Sequence, residues 1–470
     1  MKVEDIDVSA TISKAKVLLS KDKKTSPSVV AMMELLITII SILLNQRNTN
    51  SRNSSKPPSQ DPNRPRKDKG KKRGKKNPGA QMGHIGATLN PVKNPDEIEE
   101  IFIDRRTLPL GDYKPDGFEK RQVFNIKISS QVIEYQAEVL KDQNGDQWVA
   151  DFPDGVNNPT QYSGELKAHS VYLSQFQLIP QFRITDYFND QLSIPLSKGS
   201  VHNFNRTAFN LLEDFEEWVK ERLLSAKLNH ADETGVNING KKFWFHLLSN
   251  PEVTLYQVDE IRGSEAMNRM GILPFYSGIL CHDHWKAYYK YYCIHSLCNA
   301  HHLRELEGAW ERDAYKWAKK MKALLEKINI EVHKSKKNRL SKKRILHYEK
   351  KYRAILKRGE LECPLIVSKT TRRRIKQSKS RNLLDRLRDF EDDTLRFMKE
   401  SIVPFTNNMA ENDLRMTKVQ QKISGCFRSI DGAKIFCRVR SYLITCRKNG
   451  VNPTEALNLL FQGKLPTFIN

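Results

Sequence analysis

Between His230 and Asp283 the chain alternates apolar and polar positions in short runs, a period that places side chains on opposite faces of a strand. One run begins with Asp232 at its front and continues through Val236 and Ile238 to Asn239-Gly240. Asn-Gly accepts the positive φ angles of a two-residue turn, so a hairpin returning over Lys242 to Leu248 is predicted. Val253 to Val258 adds a third strand, Ser264 to Met270 a short helix, and the apolar run Gly278 to Cys281 a buried strand that leads directly into Asp283. Elsewhere the period is helical: Ile184 to Gln191, Ser197 to Ala208 beyond the break Leu192-Ser-Ile-Pro-Leu196, Leu211 to Leu224, Leu303 to Ile328, Asn407 to Lys422, and Asp431 to Lys448. Residues 95 to 165 read as β-rich, with runs at Ile98 to Ile103, Phe124 to Ile128 and Val132 to Val139 between Gly, Pro and Asp turns. The whole is an α/β pattern.

These elements divide the chain into 1–50, a helical, coiled-coil-like segment; 51–90, a basic linker; 91–170, the β-rich module; 171–225, a helix-turn-helix-like segment; 226–430, a mixed-sheet core with a basic helical insertion at about 305–400; and 431–470, a helical tail. The run Val29 to Leu44 is interrupted by Glu34, Thr38 and Ser41 and falls short of the roughly 20 apolar residues a membrane span needs, so an oligomerising helix is expected instead. Arg64 to Lys76 lies in a stretch of Asn, Ser, Pro, Gly, Lys and Arg that buries no core.

At 470 residues and a formal net charge of +24, the chain calls for a polyanionic partner, nucleic acid before an anionic membrane. All seven cysteines lie from Cys281 onward, an odd number without a disulfide framework, which suits a reducing cytosol. Residues 1–24 lack the layout of a signal peptide.

Glu411, Arg415, Lys418 and Lys422 follow at spacings of four, three and four and form one stripe along a helix, an acid leading three bases. One reading is a solvated face in which Glu411 pairs with Arg415 or closes a capping box with Asn408. The other sets Glu411 opposite Asp232 and Asp283 while the bases face phosphate. Carboxylates about 4 Å apart repel by roughly 4 kcal/mol per pair at an effective dielectric near 20, so such a cluster needs hard cations. Two Mg²⁺ or Mn²⁺ ions about 3.5–4 Å apart are the expected cofactor. Ser197 caps the second helix of the helix-turn-helix-like pair, and if that helix enters a major groove Lys198, Ser200, His202 and Asn203 reach base edges; two ordinary packed helices are the alternative. Cys298, His301 and Arg304 fall at i, i+3 and i+6; their role is packing, or orientation of a phosphate by His301 and Arg304. The Cys and His residues between 281 and 302 match no standard zinc spacing.

Several words resemble the transposases of the insertion sequence 66 family: Ala231-Asp-Glu-Thr-Gly235, Asp283-His-Trp-Lys-Ala-Tyr288, Cys298-Asn-Ala-His301-His-Leu-Arg304, and Asn407-Asn-x-Ala-Glu411-Asn-x-x-Arg415-x-x-Lys418. The likeness continues through Phe427-Arg428-Ser429, Gly432-Ala433 and Asn452-Pro453, and through Asn53-Ser-Ser-Lys-Pro-Pro-Ser59 near the start. It implies a DDE enzyme with an RNase H-like core, in which Asp232, Asp283 and Glu411 bind the metals and Cys298 and His301 support them. DNA contacts are expected from Arg304, Arg415, Lys418, Lys422 and Arg428. The expected activity is binding of terminal inverted repeats, hydrolysis of a phosphodiester, and attack of the freed 3′-hydroxyl on target DNA. Expected partners are double-stranded DNA, at least one further copy of the chain, and accessory proteins of the same element, without a membrane, in a prokaryotic cytoplasm beside the nucleoid. Two alternatives remain open: a nuclease without strand transfer, and a non-catalytic relic that represses by occupying element ends. The family's zinc-binding module falls in the β-rich region, where this chain has no cysteine, so a thiolate zinc site is excluded there.

Overall fold

The computed structural model describes residues 25–48, 89–126, 128–366 and 377–469, together with 2–3, 6–7, 11–12, 14–15, 18–19, 50, 53, 61 and 63. The basic runs Arg64 to Lys76 and Thr371 to Lys376, and Ser54 to Ser59, lie outside the described residues. Two compact units are formed, one of 1–65, 152–187 and 195–470, the other of 66–151 and 188–194.

In chain order the helices are α1 (Pro27–Asn48), α2 (Gly164–Val171), α3 (Gln181–Leu192), α4 (Lys198–Asn210), α5 (Glu213–Ser225), α6 (Ser264–Met270), α7 (Asn299–Asp313), α8 (Lys316–Lys334), α9 (Lys342–Glu362), α10 (Lys379–Asp389), α11 (Glu391–Lys399), α12 (Asn408–Ser424), α13 (Ile430–Lys448) and α14 (Pro453–Phe461). The main sheet has five strands, β1 (Leu228–Ile238), β2 (Lys241–Ser249), β3 (Thr254–Asp259), β4 (Ile279–His282) and β5 (Ile294–Leu297), in the spatial order β3-β2-β1-β4-β5. The first three are antiparallel neighbours; β4 and β5 run parallel to β1. The Asn-Gly turn forms as the sequence predicts, with φ of 46° at Asn239 and 81° at Gly240. β1 starts at Leu228, earlier than the alternation indicates, so Asp232 lies inside the strand and not at its front. The reason is tertiary: Leu228 to His230 pair with β4, a partner the local pattern does not contain.

Alternation sorts the sheet into two faces. Ala231, Leu248, Leu255 and Leu280 pack with Phe204 and Ala208 of α4, Phe215 and Val219 of α5, and Val439 and Tyr442 of α13. Val236, Ile238, Phe245, Leu247, Tyr256 and Val258 face Ala410 and Leu414 of α12 and Phe436 of α13. Each fully buried side chain of this kind contributes about 1.5–3 kcal/mol of transfer free energy. The edge of β3 is covered as well: the N–H groups of Thr254 and Tyr256 donate to the hydroxyls of Thr445 (3.1 Å) and Ser441 (2.9 Å), four residues apart on α13.

The insertion builds its own core around Trp317, Leu325, Tyr348, Tyr352, Leu384 and Leu395. The single helix expected over Leu303 to Ile328 is two, α7 and α8, because the chain turns at Ala314 with φ 58°. Ser197 caps α4 as expected, its Oγ accepting from the N–H of Ser200 at 3.0 Å. α1 exposes Met32, Leu35, Leu36, Ile39 and Leu43. No helix among the described residues is long and apolar enough to cross a membrane.

In the second unit the strands expected at Ile98 to Ile103, Phe124 to Ile128 and Val132 to Val139 do not form among the described residues. One hairpin stands there, Val139–Lys141 against Gln147–Val149. Its apolar side chains, Leu140 and Trp148 among them, are exposed, so no buried face holds further strands in register.

Candidate active site

Two aspartates are set side by side by strand register. His230 pairs with Cys281 across the parallel β1/β4 ladder, and two residues further along are Asp232 and Asp283. With a period of two, Asp232 shares the face of β1 packed against α12 with Val236 and Ile238, and the charge of Asp283 acts on it from the end of β4. Asp283 stands just past the last residue of β4, where its carboxylate accepts the N–H of Trp285 at 2.9 Å.

Glu411 reaches that face through Asn407. This residue precedes α12 but makes no side-chain cap there; the capping box with Asn408 is therefore not formed. Its side chain spans to β1 instead: Nδ2 donates to the carbonyl of Ala231 (2.8 Å), and Oδ1 lies 2.8 Å from Nδ1 of His230. Its backbone N–H donates to Sγ of Cys298 at 3.1 Å. One buried amide thus ties the start of α12 to the residues flanking Asp232 and to the start of α7, and Glu411 follows within the first turn of α12.

The carboxylates act on one another. Burial raises the Asp232 carboxyl well above the ordinary carboxylate range, and the charges of Glu233, Asp283 and Glu411 raise it further. Asp283 is pushed up to about 6 by burial and by Glu233. Glu233 lies on the opposite face of β1, its side chain 2 % exposed, bound by Arg262 at 2.5 Å and by the hydroxyl of Tyr288. Arg262 is held between the rings of Trp244 and Trp285, 4.9 and 4.3 Å from their centroids. This buried Glu233–Arg262–Tyr288 group was not foreseen; its members are 29 and 55 positions apart from Glu233, beyond the reach of any local pattern.

On the side of α7, Cys298 Sγ lies 3.8 Å and His301 Nδ1 3.9 Å from Oε1 of Glu411. Burial lowers His301 to about 4, aided by the charges of Arg304 and Arg386. His284, also about 4 through burial, has an Nε2 that is buried without a hydrogen-bond partner.

Among the described residues Arg304, Arg415, Lys422 and Arg428 form no ion pair, and Arg415, Lys422 and Arg428 are exposed. Lys418 departs from that stripe: half-buried, it donates through Nζ to the carbonyl of Gly235. Burial and nearby Lys242 lower its pKa. On α4 the inward face is Val201, Phe204, Asn205 and Ala208; Lys198 and Asn203 are exposed, Ser200 and His202 partly so.

Comparison with curated proteins yields no match. A model described as Family of unknown function (DUF6444) matches residues 10–90. The model described as Transposase IS66 family matches residues 159–435, from the helices before the sheet through α12 and into α13, more than half of the 470 positions. The chain belongs to the IS66 family of transposases.

Proposed function

We infer from its family membership that this chain is a DNA-processing enzyme. We propose that it is a DDE transposase with an RNase H-like core, in which Asp232, Asp283 and Glu411 form the triad that cuts element ends and joins them to target DNA. The observation that carries the reading is convergence: three acids, 51 and 128 positions apart in sequence order, with Asp283 and Glu411 both raising the carboxyl of Asp232. The donor set fits the expected hard cations: three carboxylates are offered, and among the described residues none of them forms an ion pair with a lysine or arginine. Bound there, Mg²⁺ or Mn²⁺ supplies Lewis acidity to the phosphodiester.

The chain's own residues do the rest. Asp232 and Asp283 are fixed by the sheet, and Glu411 by Asn407, so the oxygens are in place before DNA arrives. His301 stands beside Glu411, and Arg304, three residues further along α7, acts with it on the scissile phosphate. Arg415, Lys422 and Arg428 contact the DNA backbone, Lys198, Ser200, His202 and Asn203 the element end, and Lys418 holds β1 to α12. The exposed apolar face of α1 pairs two copies, as two ends must be held together, and the accessory proteins of the element join that assembly.

Cleavage and joining of a duplex carrying the inverted repeats beside the gene tests this. Asp232→Asn, Asp283→Asn and Glu411→Gln are each expected to lower cleavage by roughly 10³-fold or more while binding persists. Cutting without joining would leave a nuclease, and tight binding without cutting by the wild type a repressor-like relic.

A further inference from the structure

We infer that Cys298, His301 and Glu411 form a second cation site, softer than the carboxylate cluster and suited to Zn²⁺, that shares Glu411 with it. The ligand atoms of the three side chains all lie within 4.8 Å of one another. Glu411 Oε1 is 3.8 Å from Sγ and 3.9 Å from Nδ1. Tetrahedral zinc with bonds of about 2.0 Å to N and O and 2.3 Å to S sets ligand atoms roughly 3.3–3.6 Å apart, so small side-chain rotations close the site.

Two further observations point to a ligand. His301 Nδ1 is buried and has no hydrogen-bond partner. Cys298 sits at the N-cap of α7, where its sulfur accepts the N–H of Asn407 at 3.1 Å and lies 3.8 Å from Glu411 Oε1, in place to act as a ligand. Binding exchanges the thiol proton for the ion: the S–H bond breaks, the sulfur keeps the pair, and the proton leaves to solvent. Thiolate and imidazole select Zn²⁺ or Co²⁺ over Mg²⁺, and three protein ligands leave a fourth position open. An ion held here draws Glu411 away from Asp232 and Asp283. That consequence rests on the proposed function; the binding itself does not.

The test is a Co²⁺ titration of the reduced full-length protein in excess Mg²⁺, followed by thiolate-to-cobalt charge-transfer absorption. One equivalent is expected to bind, displaced by Zn²⁺. Cys298→Ser abolishes the band, His301→Ala and Glu411→Gln weaken binding by at least the roughly tenfold that loss of an outer-shell partner costs, and Asp283→Asn leaves it unchanged. Should Cys298→Ser lose its circular dichroism, the His301→Ala arm decides. No band in the wild type, a band that survives Cys298→Ser, or undiminished affinity in His301→Ala overturns the site. Zn²⁺ inhibition of Mg²⁺-dependent cleavage tests the coupling, and an inactive protein that still shows the cobalt band would sink the transposase mechanism alone.

Discussion

Val236, Ile238 and Phe245 in the main sheet are 3 %, 3 % and 0 % exposed, whereas Ile98, Ile101 and Phe102 in the other compact unit are 75 %, 82 % and 74 % exposed. Both stretches mix β-branched and aromatic residues with polar ones between turn residues. The difference lies in what each meets. The hairpin β1–β2 is covered on one face by α4, α5 and α13 and on the other by α12, so its apolar face has something to bury against. Residues 98–103 have no such cover among the described residues of their own unit. Alternation defines a face, and a strand follows only where a second surface takes that face out of water.

The contrast is broken most directly by truncating one aromatic in each region. Phe245→Ala removes a ring that stacks on Phe436 at 5.9 Å and meets Phe427 edge-on at 5.4 Å, and is expected to cost about 3–5 kcal/mol. Phe102→Ala, whose ring touches Phe118 at 6.0 Å while remaining exposed, is expected to change stability by no more than about 0.5 kcal/mol. Urea midpoints of the two variants give the comparison; equal losses would mean that the second unit has a core of its own.

Asn407 sharpens it next, because here the sheet is tied to its cover by polar atoms. Asn407→Ala leaves the Ala231 carbonyl and Nδ1 of His230 without this buried partner, at about 1–3 kcal/mol for each. The expected cost is therefore roughly 2–6 kcal/mol, with cleavage falling further than the folded fraction does, since Glu411 loses its anchor. Cleavage that simply tracked the folded fraction would remove Asn407 from the positioning of Glu411.

How much of this was legible in the sequence follows the same division. The turn at Asn239-Gly240, the strands on either side of it and α12 were readable because their signals are local. The carboxylates were readable as residue types beside strands and in a first helical turn. Asn407 was visible as part of a motif, yet its partners Ala231 and His230 lie 176 and 177 positions away, so its task was hidden. β5 was missed because Tyr291-Tyr-Cys-Ile-His-Ser-Leu297 shows no clean alternation, its strand being fixed by the parallel pairing with β4. The turn at Ala314 was missed because alanine, the best helix former, gives no sign of a left-handed residue.

The buried charges around the site set opposite pH dependences. His282, His284 and His301 are depressed to about 3, 4 and 4, chiefly by burial, and His302 is lowered too. Their folded values lie below the unfolded 6.5, so the stability they contribute is full above pH 6.5 and drains away as pH falls through that value toward 4. Asp283, raised to about 6, has the reverse sign: its ionised form destabilises the fold above pH 6, and that penalty is relieved as pH falls toward 4. In the absence of divalent ions, Asp283→Asn is expected to stabilise by up to about 3 kcal/mol at pH 7, with the advantage gone near pH 4. Melting temperatures across pH 4–7 check both slopes. A variant advantage that is constant with pH would show that the gain comes from packing and not from charge.

The smallest effect is expected where the N-terminal segment touches the core. Asn53 is buried, donates to Oε2 of Glu311 at 3.0 Å, and lies so close to Gly308 of α7 that a Cβ there would collide with its carbonyl oxygen. Gly308→Ala strengthens the helix by up to about 1 kcal/mol and loosens a hydrogen bond worth about 0.5–1.5 kcal/mol, so global stability is expected to move little. The local readout moves instead: the Asn53 amide, which donates to Asn50 at 3.2 Å, should exchange faster in the variant. The collision is with backbone, which has no rotamer to yield, so the shift must be taken by Asn53 itself or by α7. Unchanged exchange at Asn53 together with faster exchange along α7 would show that the helix yields, which would make the Asn53 contact firmer than the helix bearing Cys298, His301 and Arg304.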